Sequence, residues 1–286
     1  MEIPQHLIDY GPWSISKAGM IEKCSQQFFY KHVNKYKELV TFEESRVGVA
    51  VHKALEFTLD PNFLSKDSHD VRVKKAFVFV KDQSELTSDE EEQLDTFFDQ
   101  VTRFTKRMYA NHVRQRVHPS NVMIEKKLGV TKNFTRAGFY EDRGMKLRDD
   151  PETQPLFRGV IDYAYITGDN DMVIIDHKSG RERELSYYST QFKAYCVLGL
   201  VNFPQIRRFK TAINFTATDK LLPNEIISAE MVRSEYFPWL VEYLTKSCEG
   251  LLMPPKTTRS GLCNWCAYKP ICPEFGGTGR VDTESN

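Results

Sequence analysis

The most regular pattern of apolar and polar positions lies mid-chain, from Arg158 to Gly180. Phe157 to Ile166 and Met172 to Lys178 read as two strands. Gly168-Asp169-Asn170-Asp171 between them is rich in turn formers, so a hairpin is expected. Side chains alternate along a strand, which puts Asp176 and Lys178 on one face and His177 on the other. Upstream the period is helical. Ser14 or Ser16 caps a helix expected to run to about Val33, with Ile21, Phe28, Phe29 and Val33 at helical spacing and Cys24 inside it. A second helix is expected from about Glu44 to Leu59, with His52 and Glu56 four apart and so on one face. Residues 60–118 read as helical. Within them Ser88 and four acids, Asp89 to Glu92, start a helix that is expected to end in a basic run, Arg103, Lys106, Arg107, Arg114 and Arg116. Asn121 to Val130 reads as a strand holding Glu125, and Lys132 to Asp150 as a polar loop. A helix from about Ser186 to Val201 puts Gln191 and Tyr195 on one face. Arg207 to Phe215 reads as a strand and Ser234 to Leu251 as a helix. Residues 1–13 read as an irregular lead-in, and Val281 to Asn286 as a frayed tail.

The apolar hairpin strands carry Asp162, Asp176 and Lys178, which are costly to bury. A divalent metal accounts for the two acids, and the lysine can then serve a reacting phosphate. The hairpin therefore points to a metal-dependent phosphodiesterase site. Its neighbours are open to two readings each. His52 is a partly buried, hydrogen-bonded histidine or a ligand. Glu125 is a salt-bridge partner or a further member of the metal site. The basic run is solvated surface matched to a helix dipole or a DNA-backbone face. Gly48, one turn before His52, lets another backbone or a ligand approach closely.

Composition narrows the setting. The chain has 286 residues, 41% hydrophobic and 27% charged, enough for one large domain with an insertion. Its net charge is zero, so any nucleic-acid binding must use a local basic face. Neither a membrane span nor a secretory leader is apparent, and a cytoplasmic protein without disulfides is expected. The six cysteines then need another account. Cys263, Cys266 and Cys272 form C-x2-C-x5-C, a spacing that turns thiolates around one metal or cluster iron. Cys24, Cys196 and Cys248 compete for a fourth place. Spacing alone leaves zinc and iron–sulfur both open.

The order Cys24, His52, Asp162, Asp176-x-Lys178, Gln191-x3-Tyr195, Cys263-x2-Cys266-x5-Cys272 resembles the RecB-like branch of the PD-(D/E)XK nuclease superfamily. Within it the chain is similar to iron–sulfur members such as the Cas4 exonucleases and the AddB nuclease domain, from Ser14 to Phe275. The resemblance implies an α/β restriction-endonuclease-like core, a mixed central sheet flanked by helices. Residues 1–275 would form one nuclease domain, with a helical insertion at about 60–118 and an iron–sulfur region at 252–275 plus Cys24; residues 276–286 would be a flexible tail. It implies Mg2+ or Mn2+ held by His52, Asp162, Asp176 and the backbone carbonyl of His177. Lys178 would act on the attacking water, and Gln191 and Tyr195 would support the site and DNA contact. Cys24, Cys263, Cys266 and Cys272 would hold a 4Fe–4S cluster. The implied function is a metal-dependent DNA exonuclease acting on single strands or duplex ends in recombination, repair or CRISPR-type processing, in the cytoplasm (a host's, if phage-encoded). Alternatives are a DNA-binding component assembled with a recombination, annealing or CRISPR adaptation protein, and a zinc-stabilised endonuclease of the same fold. The chain departs from the resemblance at Cys24-Ser25, where Cys-Pro is frequent, and at His177, where Tyr or Phe is usual.

Overall fold

A computed structural model describes residues 3–40, 44–63 and 66–281. Its strands are β1 (Val122–Val130), β2 (Arg136–Ala137), β3 (Phe157–Ile166), β4 (Asp171–Lys178), β5 (Arg208–Phe215) and β6 (Lys220–Ser228). They form one sheet in the order β2-β1-β3-β4-β5-β6. β4 and β5 are parallel and every other pair is antiparallel. The helices are α1 (Gln5–Asp9), α2 (Ile15–Lys23), α3 (Ser25–Phe28), α4 (Glu44–Leu59), α5 (His69–Gln83), α6 (Ser88–Asp95), α7 (Phe98–Arg114), α8 (Ser189–Asn202), α9 (Ala229–Met231) and α10 (Phe237–Glu249). The fold is thus a mixed sheet flanked by helices, as the sequence leads one to expect.

Each face of the sheet has its own apolar layer. On one, Ile21, Leu198 and Leu244 from α2, α8 and α10 pack with Phe157, Ile174 and Phe209. On the other, Val51, Leu55, Val73 and Phe104 from α4, α5 and α7 pack with Tyr163, Tyr165 and Ile175. α8 crosses from β4 to β5, the connection a parallel pair requires. The hairpin turn between β3 and β4 is closed by Thr167, whose N–H donates to the Asp171 carbonyl and whose hydroxyl accepts from the Asp169 and Asp171 N–H groups. Asn170 takes the left-handed conformation there, which asparagine tolerates.

Several expectations are corrected. The helix capped by Ser14 ends at Lys23, and Cys24 is extended (φ −166°, ψ 103°). A tertiary clasp overrides the helical period: the Lys256 carbonyl accepts from Gln26 N–H and Ser25 Oγ, and Lys256 N–H donates to Ser25 Oγ. Cys24 therefore sits at a break rather than inside a helix. The acidic start is capped by Thr87, which forms a reciprocal box with Glu90. That helix stops at Asp95, and the basic run belongs to a separate helix, α7, and the turn beyond it. The break lets α6 lie against α4, where Arg46 pairs with Glu90 at 2.9 Å, while α7 follows the sheet. The lead-in holds α1 and the fully buried Trp13, bridged to Phe157. The polar loop after β1 contains β2. β6 has no clean strand period because Pro223 and Asn224 interrupt it; proline is confined to edge strands, and β6 is one. In the tail, Gly277 and Gly279 N–H groups donate to the Cys272 and Ile271 carbonyls; residues 282–286 lie outside the described residues.

Candidate active site

The site is made where the β3–β4 ladder stops. Pairing runs to Tyr163 opposite Ile175 and no further. One step on, the His177 N–H donates to Asp162 Oδ2 at 2.9 Å in place of a strand carbonyl. On the other side of β3, Glu125 lies across from Asp162 with φ +44°, a left-handed backbone that glutamate rarely adopts. The in–out alternation reverses here on both strands. Even-numbered β1 residues face α4 and α7 before Glu125 and the opposite layer after it, at Leu128 and Val130. On β3, Ile161 and Ala164 share one layer although they are three apart. The reversal breaks strict period-two patterning at the two acids.

α4 meets this break from its own side. His52 Nδ1 lies 3.7 Å from Asp162 Oδ2. Ligand atoms of His52, Glu125 and Asp162 all fall within 4.8 Å of one another. A cleft of about 520 Å³ opens beside them, lined also by Gly48, Glu56 and Ser179. A Cβ on Gly48 would stand 2.9 Å from Ser179 Oγ, so the glycine allows α4 to close on the end of β4.

From the opposite face α8 supplies the supports. Asp176 is fully buried. Its Oδ1 accepts from Gln191 Nε2 at 2.7 Å and from the Tyr195 hydroxyl at 3.1 Å, and Gln191 Nε2 also donates to Tyr195 at 2.6 Å. Its Oδ2 pairs with Lys178 Nζ at 2.6 Å. Asp176 and Lys178 thus share a face, as strand alternation requires. The His177 ring takes the other, buried against Phe104 and edge-on to His52, with Nδ1 3.1 Å from Asn214 Nδ2.

The charges in the site are poorly compensated by protein alone. Burial, then the Asp176 charge, raises the Asp162 carboxyl well above the ordinary carboxylate range. Burial, then Glu56, raises Glu125. Burial and the Lys178 charge lower His52, against a contact with the His177 backbone, whose one acceptor is its carbonyl. His52 is therefore a neutral imidazole with a lone pair to offer. Burial opposes the Lys178 ammonium, but Asp176 outweighs it and raises the lysine. Burial drives His177 far below the usual histidine range, so its ring stays neutral. A neutral imidazole and two strained carboxylates fit a divalent cation; His52, Glu125 and Asp162 are placed to hold it, with Asp176 behind them.

All the expected site residues meet at this one place: His52, Asp162, Asp176, His177, Lys178, Gln191 and Tyr195. Glu125, for which two readings stood open, joins them. Its sequence signal was a lone acid in an otherwise strand-like segment. The basic run lies at the surface, each member with a polar partner. Arg103 and Arg107 pair with Asp219, Lys106 with Asp70 and Arg116 with Asp169, while Arg114 bonds Asn111.

The PD-(D/E)XK nuclease superfamily matches residues 12–273, and with them every residue of the site. The chain belongs to this superfamily. Among solved structures, the chain is similar to a protein named SSO0001, with 11% identity, 95% of this chain and 93% of that chain covered, and a TM-score of 0.35. It is also similar to a protein from Eubacterium rectale named "putative exonuclease", with 12% identity, 100% and 96% covered, and a TM-score of 0.40. No curated protein matches it.

In this member of the superfamily a second constellation lies at the clasp. Cys24, Cys263, Cys266 and Cys272 line one small cavity together with Lys23 and Lys269. All four are half-buried, and Cys266 feels the charges of the other three. Cys196 and Cys248 are buried in the core, where burial raises both thiols, so they drop out as a fourth ligand. Four thiols on one cavity are the donor set that a zinc ion or an iron–sulfur cluster takes, although among the described residues no three of them come within 4.8 Å of one another as the His52 group does.

Proposed function

We propose that this protein is a divalent-metal-dependent deoxyribonuclease that hydrolyses phosphodiester bonds in single strands or at DNA ends. The observation that carries the reading is the convergence of His52, Glu125 and Asp162 beside the Asp176–Lys178 pair. When bound, Mg2+ or Mn2+ supplies Lewis-acid polarisation of the phosphate and a more acidic water. The carboxylates of Asp162, Glu125 and Asp176 and the His177 carbonyl offer the oxygen-rich surroundings such ions take, and His52 favours Mn2+. Lys178 brings a cation to the phosphate, where it orients the attacking water and offsets charge on the pentavalent oxygens. Gln191 and Tyr195 fix the Asp176 carboxylate through Oδ1, which leaves Oδ2 to be shared between Lys178 and a bound cation. The cleft has room for about one nucleotide beside the acids. Unpaired DNA is taken as the substrate, and recombination, repair or CRISPR-type processing are the settings that use it.

For the four cysteines we propose a 4Fe–4S cluster that ties the N-terminal segment to residues 256–275. Iron and sulfide analysis of protein purified without oxygen, against zinc analysis, decides between cluster and zinc.

Cleavage of end-labelled linear DNA against circular single-stranded DNA, with Mn2+ or Mg2+, tests the activity. Linear DNA is expected to be degraded and the circle spared. Asp176→Asn and Lys178→Ala are each expected to lower the rate by at least about a hundredfold with the thermal transition retained. Near-native cleavage by either variant would overturn the assignment.

A further inference from the structure

We propose that Tyr187, backed by Arg183, is a stacking platform for one unpaired nucleobase next to the scissile phosphate. The inference rests on the nuclease reading and gives its substrate a recognition element. Residues 179–188 leave the end of β4 and return to α8, and the first of them, Ser179, lines the cleft. Within this stretch two tyrosines divide the work. Tyr188 is buried, packed at 6.1 Å against Phe215, and its ring lies 5.8 Å from Lys178 Nζ. Tyr187, by contrast, is 61% exposed. The two tyrosine rings meet in a T-shaped pair at 82°, with centroids 5.1 Å apart. The Arg183 guanidinium stacks over Tyr187 at 4.5 Å.

The loop is held from outside the stack. Glu182 accepts from Thr218 Oγ1 at 2.6 Å and pairs with Lys220 Nζ at 2.8 Å, which anchors it to the start of β6. That anchor turns Glu182 aside, and Arg181, Arg183, Glu184, Ser186 and Tyr187 are the exposed side chains of the loop. An exposed aromatic ring under a guanidinium is the combination that binds unpaired bases: the ring offers a π face to any base and the cation meets the backbone. Two ring contacts link Tyr187 to Lys178. The base it takes therefore belongs to a nucleotide about one or two steps from the bond being cut. A paired base has both faces covered by its neighbours, so the platform selects frayed ends and single strands.

Binding of a fluorescent oligothymidylate in EDTA, read by anisotropy, tests this without cleavage. Tyr187→Ala is expected to raise Kd by about 5- to 100-fold with the salt dependence unchanged. Tyr187→Trp is expected to keep wild-type affinity. Arg183→Gln is expected to weaken binding less and to lower the salt slope. The wild type is expected to bind an abasic oligomer as weakly as Tyr187→Ala binds oligothymidylate, and the variant is expected not to tell the two oligomers apart. Tyr187→Ala binding within about twofold of wild type, or equal wild-type binding of abasic and thymidylate strands, overturns the platform. The two readings fail separately. A wild type that never cleaves with metal but shows the stacking effect sinks only the nuclease reading. A Tyr187→Ala variant that cleaves single strands with unchanged KM sinks only the platform.

Discussion

Glu125 shows what the site asks of a single residue. A left-handed glutamate costs on the order of 1–3 kcal/mol, and nothing about the strand requires it. Its effect is to reverse the facing of β1 and bring a carboxylate to Asp162 and His52. The residue should therefore be better for binding than for stability. Glu125→Gln is expected to weaken Mn2+ binding at least about tenfold by calorimetric titration with little change in Tm. Glu125→Gly is expected to weaken it as much while raising stability by about 1 kcal/mol, because glycine enters this conformation freely. Equal metal affinity in the Gln variant would remove Glu125 from the site. The role was only half legible in the sequence. Asp162, Asp176 and Lys178 stood out as charges on apolar strands. Glu125 sat in a strand whose alternation gave no hint of a reversal, since backbone conformation at one residue leaves no periodic trace.

At the level of elements, the packing of α8 on the sheet decides how well Asp176 is held. Two glycines set that distance. A Cβ on Gly159 of β3 would meet Leu198 Cδ1 at 2.7 Å, and one on Gly199 of α8 would meet Phe209 and Met172 at 2.8 and 2.9 Å. Gly159→Val is expected to push α8 outward, costing about 1–3 kcal/mol in denaturant unfolding. Because Gln191 and Tyr195 ride on α8, kcat should fall with KM little changed; wild-type kcat would show that their contact with Asp176 is dispensable. Elements with a clean period were legible: α4 spans the expected residues 44–59, and the β3–β4 hairpin forms as read. Those set by tertiary contact were not. Lys256 breaks the first long helix at Cys24, and β6 exists only because β5 offers an edge to a strand that contains proline.

Across the whole molecule, the two apolar layers lie on either side of one sheet, and the site collects residues from both: His52 from the α4 side, Gln191 and Tyr195 from the α8 side. The order of short motifs along the chain made this architecture legible, while charge did not, because the chain is neutral overall and four of the five cations of its basic run are paired at the surface. The cavity at the cysteine clasp and the cleft beside His52 share no lining residue. Cys266→Ser is expected to lose bound metal or cluster and to lower Tm, with protease cuts appearing near Cys24, while Mn2+ titration of the His52 site stays unchanged. Loss of Mn2+ binding in that variant would show the two centres to be coupled. The clasp also ties folding to the order of synthesis. Cys24 and Lys256 are 232 positions apart. At roughly 5–20 residues per second, on the order of 10–50 s pass between their emergence from the ribosome. Throughout that interval the first thiol has no partners. Closing the ring therefore waits until every strand of the sheet has been synthesised, and whatever fills the four-thiol cavity is delivered only after Ser228, the last strand residue, has been added.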